Sequence, residues 1–158
     1  MANYIEEVKL YSDGGCRLNP GPGAIGVLIL DEVDGELRRH CQVIGHTTNN
    51  RAEYRALIKG LDLCAKYTRG RVYCFTDSQL VVNHMNGTWR LKDDGLRSLF
   101  HEVKQCEEVF QEVIYQHVPS THPYIKKVDA LLNEAFQGRL VSDTTSRVAE
   151  KHNRFSPL

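Results

Sequence analysis

The chain has no apolar run approaching the roughly 20 residues that a membrane-crossing helix needs, and it opens on Met1-Ala2-Asn3-Tyr4-Ile5-Glu6-Glu7. That acidic start lacks the basic-then-apolar plan of a secretory leader. The expectation is a cytoplasmic protein with no membrane partner. An excess of one charge is also missing, because twenty basic side chains balance twenty acidic ones. The whole-molecule field therefore gives no reason for strong nonspecific nucleic-acid binding. Five cysteines (Cys16, Cys41, Cys64, Cys74, Cys106) are scattered without paired metal-ligand spacing. They read as free thiols in a reducing compartment. No internal repeat and no linker divides the 158 residues, so one domain with its own core is expected, acting as a monomer.

What is present is a run of strand and helix signals. Residues 5–12 alternate and are rich in β-formers, a first strand. Gly14 to Gly23 holds four glycines and two prolines and reads as a turn or loop. Ala24 to Leu30 is a buried strand, and Asp34-Gly35 marks a hairpin that pairs it with 36–45. Helical spacing of Ala52, Ala56, Leu57, Gly60, Leu61 and Cys64 predicts a helix from Asn50 to about Tyr67, with Gly70 placed to stop it. Val72 to Phe75 is a short strand, Ser78 to Met85 a short helix, Asp93 to Val109 a longer one. Glu112 to Val118 is the last strand and Ile125 to Phe136 the last helix. Three hairpin-linked strands followed by alternating helix and strand predict an α/β fold with a mixed sheet flanked by helices. Residues 1–139 form the folded unit, and the polar, aperiodic 140–158 is expected to be a loosely ordered tail.

Four acids stand out along this plan: Asp13 at the end of the first strand, Glu53 in the first turn of the first helix, Asp77 just after Phe75-Thr76, and Asp129 in the last helix. Each has a plain alternative. Asp13 before Gly14-Gly15 could be a turn former. Glu53 could close a capping box with Asn50, and Asp77 could cap the short helix. Asp129, flanked by Val128 and Leu131, asks for a partner or for solvent. If instead the four converge, their mutual repulsion is costly. Two divalent cations would remove that cost, and such a pair can clamp the attacking and leaving oxygens of a phosphodiester.

The flanks of the four acids decide between these readings. Asp13-Gly14-Gly15-Cys16 with Asn19-Pro20-Gly21-Pro22-Gly23, Thr48-Asn49-Asn50-Arg51-Ala52-Glu53, Thr76-Asp77-Ser78-Gln79 and Val128-Asp129-Ala130 resemble type 1 ribonuclease H, in order and at compatible separations over residues 8–137. The resemblance implies a ribonuclease H-like fold with a five-stranded mixed sheet. It implies an endonuclease that hydrolyses the RNA strand of RNA/DNA hybrids with two Mg²⁺ ions, or Mn²⁺, leaving 5′-phosphate and 3′-hydroxyl ends. Asp13, Glu53, Asp77 and Asp129 take the metal-binding carboxylate positions. Glu53 and Asp77 would help orient phosphate and water, and Asp129 would hold the more exchangeable ion. Cys16, Asn19, Asn49, Asn50 and Gln79 match positions that line the hybrid's minor groove, where small polar groups can read 2′-hydroxyls. Thr48 matches a contact to a DNA-strand phosphate, or simply caps its helix.

Two departures narrow the expectation. Many family members carry a loop histidine about ten residues before the last aspartate, and Pro119 stands there instead. His122, seven residues before Asp129, is the candidate accessory group, or a solvated loop histidine. The basic, Trp-rich helix that some members use to grip DNA is absent. Trp89 runs straight on to Arg90, Lys92, Asp93 and Asp94. Trp89 lies along the DNA backbone or packs on the core. Two rivals remain open at this point: a nuclease-dead hybrid-binding module, and another metal-dependent nuclease such as an exonuclease or resolvase.

Overall fold

The computed structural model describes residues 3–138 and 141–145. Its elements run β1 (Ile5–Cys16), β2 (Gly21–Leu30), β3 (Glu36–Thr47), α1 (Asn49–Cys64), β4 (Thr68–Thr76), α2 (Gln79–Met85), α3 (Asp94–Glu107), β5 (Glu112–His117), α4 (Pro123–Phe136) and β6 (Val141–Thr145). The first three strands pair antiparallel, β4 joins β1 in parallel, and β5 joins β4 in parallel. This is the expected five-stranded mixed sheet. A sixth strand, β6, extends it beyond β3, giving the order β5-β4-β1-β2-β3-β6. Val141–Thr145 lies in the segment read from sequence as a loose tail, and the pairing on the β3 edge explains its order. Its Val-Ser-Asp-Thr-Thr composition gives little apolar signal, so only the ladder reveals it. Residues 139–140 and 146–158 of that predicted tail lie outside the described residues.

Strand alternation sends side chains to two separate cores. One face of the sheet gives Val8, Leu10, Val27, Ile29, Val72 and Cys74 to a large core closed by α1, α2 and α3. The other face gives Tyr11, Leu28 and Leu30, with Ala24 and Cys41, to α4 through Ile125, Val128, Leu131 and Leu132. The result is three layers, helices over both faces. Among the described residues no helix is long and apolar enough to cross a membrane.

Several glycines do a different job from the one composition suggests. Gly14, Gly15, Gly21 and Gly23 sit inside β1 and β2 rather than in a loop, and the connection between them is only Arg17 to Pro20. Gly14 is where α1 lies on the sheet: a Cβ there would come within 2.1 Å of the Ala52 carbonyl oxygen. Gly26 plays the same part for α4, where a Cβ would meet the Val128 carbonyl oxygen at 2.6 Å. Gly70 does not stop α1, which ends at Cys64. It lies within β4 against the Glu6 carbonyl, a close approach that only glycine allows.

The turn at the other end of the β2–β3 hairpin is tied by one carboxylate. Asp31 Oδ1 accepts the backbone N–H groups of Val33 and Gly35 at 3.0 and 2.7 Å. Asp34 takes the left-handed conformation, φ 63°, which short polar residues tolerate. Its carboxylate pairs with Lys9 at 2.7 Å.

Candidate active site

Asp13 and Asp77 come together because β1 and β4 are parallel neighbours. Tyr11 stands opposite Phe75 in that ladder. Asp13 and Asp77 each lie two residues further on, so they reach the same end of the sheet. Glu53 arrives from α1, across the Gly14 contact, and its Oε1 accepts the Gly14 backbone N–H. Asp13, Glu53 and Asp77 each bring a carboxylate oxygen to within 4.8 Å of the others. Asp129 approaches from α4 and contacts the Asp13 carboxyl. It lines a cavity of about 200 Å³ with Asp13, Asp77, Ser120, Ile125 and Lys126.

The alternatives raised by sequence are resolved by caps that other residues supply. Thr48, not Asn50, is the N-cap of α1, its hydroxyl accepting from the Arg51 N–H at 3.3 Å. N3 is then Arg51, and Glu53 lies two residues too far along to close a capping box. Ser78, not Asp77, caps α2, accepting from Val81 at 3.3 Å. Both carboxylates are thus released from capping.

Electrostatics records the crowding. Burial raises the Asp13 carboxyl to about 7, with Asp77 and Asp129 adding to the rise and a hydrogen bond to Glu53 opposing it. Glu53 is pushed well above the usual carboxylate range, chiefly by burial and then by Asp13, against the Gly14 N–H. Asp77 is raised by burial and by Asp129, while its own backbone N–H and His117 pull it down. An all-oxygen cluster under such repulsion is the donor set that hard divalent cations such as Mg²⁺ and Mn²⁺ take. The residues fit the group.

Beside the acids lies a small polar network. Asn49 Oδ1 accepts from the Cys16 backbone N–H at 2.9 Å and lies 3.2 Å from the Cys16 thiol. Asn19 Oδ1 accepts from the Asn49 N–H at 3.0 Å. These bonds tie the β1–β2 connection to the start of α1. Asn50 is exposed on the first turn of α1, and Gln79 is exposed at the start of α2, two residues from Asp77. Trp89 is half-exposed, with its ring edge-on to His84 at 6.3 Å, so it neither enters the core nor leaves it entirely.

His122 has a structural post. Its Nδ1 accepts the Tyr124 N–H at 3.1 Å as the N-cap of α4, and its ring stacks on Tyr11 at 5.2 Å. It is not among the residues lining the acidic cavity. Three residues near the acids were not singled out from sequence. His117 sits level with Thr76 across the β4–β5 ladder, hence beside Asp77. Ser120 belongs to the turn closed by His122 N–H on the Pro119 carbonyl. Lys126 precedes Asp129 by one helical turn. Only the last left a sequence signal, the i, i+3 spacing in a predicted helix.

Residues 11–131 match the protein-family model described as reverse transcriptase-like. The chain is 34% identical to ribonuclease H of Hydrogenovibrio crunogenus, over 83% of this chain and 96% of that one. It is 35% identical to ribonuclease HI of Halobacterium salinarum, over 81% of this chain and 63% of the relative. With the bifunctional protein Rv2228c of Mycobacterium tuberculosis the identity is also 35%, over 82% of this chain but only 35% of the relative. The chain thus spans about a third of that protein and under two thirds of the halobacterial one. The crystal structure of the Halobacterium salinarum RNase H1 superposes with a TM-score of 0.78 at 34% identity, covering 83% of this chain and 98% of that one. LC11-RNase H1 in complex with an RNA/DNA hybrid gives 0.77 at 34% identity, covering 84% and 99%. With the mixed sheet, the order of the acidic motifs, a family model over residues 11–131 and the Hydrogenovibrio crunogenus relative matched along 96% of its length, the chain belongs to the ribonuclease H family, on its type 1 branch.

Proposed function

We propose that this protein is an endonuclease that hydrolyses the RNA strand of RNA/DNA hybrids, depends on divalent cations, and leaves 5′-phosphate and 3′-hydroxyl ends. The observation that carries this reading is the gathering of Asp13, Glu53 and Asp77 within 4.8 Å at one end of the sheet, in a chain of the ribonuclease H family. Asp129 joins them across the shared cavity.

Asp13, Glu53, Asp77 and Asp129 would together hold two Mg²⁺ or Mn²⁺ ions. When bound, such cations favour deprotonation of a water and stabilise charge on a leaving oxygen. The protein's own groups supply position. The Gly14 N–H holds Glu53 in place, and Glu53 and Asp77 orient the scissile phosphate and the attacking water. Water oxygen bonds to phosphorus, the bond to the 3′-oxygen breaks, and that oxygen takes a proton.

Selection of the hybrid rests on the polar network. Cys16, Asn19, Asn49, Asn50 and Gln79 offer donors and acceptors to base edges and 2′-hydroxyls in the minor groove, without demanding a sequence. The Thr48 hydroxyl spends a lone pair on the Arg51 N–H, which leaves its proton for a DNA-strand phosphate. Trp89, half-exposed, is available to lie along that strand. His122 acts through the helix it caps, steadying Asp129 as a positioning residue rather than carrying protons. The protein acts as a monomer, in the cytoplasm.

A labelled-strand assay comparing an RNA/DNA hybrid, duplex DNA and a DNA junction, each with Mg²⁺ and with EDTA, tests the reading. Internal cuts in the RNA strand alone, abolished by EDTA, are expected. Hybrid binding without cleavage would instead make this a binding module, and cuts in DNA or at the junction would make it another nuclease of the superfold.

A further inference from the structure

Lys126 stands apart from the other cations near the acidic end. It lines the cavity with Asp13, Asp77 and Asp129, yet among the described residues its ammonium makes no ion pair and no hydrogen bond, while its backbone N–H donates to the His122 carbonyl in the ordinary helical way. A lysine three residues before an aspartate on a helix is within reach of a pair with it, though in the weaker orientation. Here Asp129 turns to the Asp13 carboxyl instead. The neighbouring Lys127 is occupied, lying over the Tyr124 ring at 5.3 Å. Elsewhere Lys9, Arg39, Arg51, Arg71, Arg97 and Lys104 hold carboxylates; other cations such as Lys59 and Lys92 are also unpaired among the described residues, but Lys126 alone of the unpaired ones lines the acidic cavity. A free ammonium lining a cavity with three acids has two consequences. Its charge, screened by solvent, would offset part of their repulsion while the cavity lacks other cations. It also opposes any divalent cation that enters.

That second consequence is unfavourable unless the charge is used by something else. The net charge of the chain is zero, and it has no basic protrusion, so few cations are available for a polyanion at the reacting end. We propose that Lys126 is a substrate-positioning residue. Its ammonium takes a phosphate of the RNA strand beside the acidic centre, and it weakens divalent-cation binding when that phosphate is absent. Substrate and cations are thereby coupled: a bound phosphate draws the ammonium's charge away from the carboxylates and makes room for the ions. This inference rests on the hybrid-cleaving reading of the same centre.

Lys126→Gln keeps a good helix former at an exposed position, so the fold is not at risk. Two readouts are needed. Calorimetric titration of the protein alone with Mn²⁺ should show roughly threefold tighter binding in the variant, as removal of one positive charge from a screened, water-accessible cavity predicts. The KM for a hybrid should rise roughly five- to tenfold at low salt, and the slope of log KM against log salt should fall by about one, with kcat changed less. Lys126→Arg should restore the slope. A salt slope equal to wild type, or a Mn²⁺ affinity equal to wild type, overturns the proposal. If the wild-type protein cuts no hybrid, the hybrid-cleaving reading falls instead, and the Mn²⁺ titration still decides whether Lys126 opposes cation binding.

Discussion

Glu53 is fixed by a backbone N–H of β1, whereas Asp129 meets the centre through the Asp13 carboxyl and the exposed Lys126 ammonium has no partner among the described residues. At Gly14 the absence of a side chain lets α1 lie directly on β1, and the Gly14 N–H closes on Glu53. This side of the centre is half-buried and crowded, and its carboxyls are raised by burial. On the α4 side Asp129 and Lys126 are exposed, and the cavity opens between them. On the proposed reading the contrast separates two tasks. The half-buried side would set where a reacting phosphate sits, and the open side would let cations and substrate come and go.

Asp13→Asn should have the largest effect on that contrast. Hybrid cleavage is expected to fall by roughly 10³-fold or more, the scale on which a group stabilising transition-state charge matters. Folding should respond in the opposite sense. The Asp13 carboxyl is raised from 3.8 to about 7 in the folded protein. The folded state therefore holds the proton more tightly than the unfolded chain does. Stability from this group is present at low pH and is lost as pH rises towards 7. In EDTA the variant should melt above wild type by a margin that grows from about pH 4 to about pH 7 and then levels off, followed by thermal unfolding. Added Mg²⁺ should shrink or reverse the margin. A margin independent of pH would contradict the burial of that charge.

Gly14→Ala comes next. The added Cβ would meet the Ala52 carbonyl oxygen at 2.1 Å and the Glu53 N–H nitrogen at 2.8 Å, backbone atoms that cannot swing away. A loss of about 1–3 kcal/mol is expected from forced repacking, read by urea unfolding, along with a deep loss of cleavage as Glu53 is displaced. Gly15→Ala is the control, since its Cβ would find only the Asn49 side-chain oxygen at 3.7 Å. It should fold as wild type does.

Asp129→Asn should be milder than either. Cleavage is expected to drop roughly 10- to 100-fold, with part of the loss recovered at higher Mn²⁺, because this acid is exposed and lies on the open side. Equal losses for Asp129→Asn and Asp13→Asn, with no metal rescue, would erase the distinction between the two sides.

How much of this was legible in the sequence depended on which interactions make the signal. Alternating and helical apolar spacing is a local consequence of burial, so the five strands and four helices were readable, with ends shifted by a few residues. The four acids were readable as a set because their flanks form a familiar series. The caps were legible only in part, since neighbouring residues competed for the same local bonds and of the two only Thr48 was among the readings; the glycines were not, since each close approach is decided by a long-range partner. Thr48 and Ser78 take the caps that Asn50 and Asp77 could have filled. Gly14, Gly26 and Gly70 serve close backbone approaches that composition cannot tell from turns. Strand β6 carries a single apolar residue in its sequence and pairs with the β3 edge. His117 and Ser120 meet the acids only once the β4–β5 ladder and the Pro119–His122 turn exist.

The chemistry of the cut ends tests the central claim most directly. With wild-type protein, Mg²⁺ and an RNA/DNA hybrid, end analysis of the RNA fragments should find 5′-phosphate and 3′-hydroxyl, because the carboxylate centre positions water for attack on phosphorus. Fragments ending in a 2′,3′-cyclic phosphate, with 5′-hydroxyl partners, would show that the RNA's own 2′-hydroxyl is the nucleophile. That result would contradict the account of Asp13, Glu53, Asp77 and Asp129 as a hydrolytic centre.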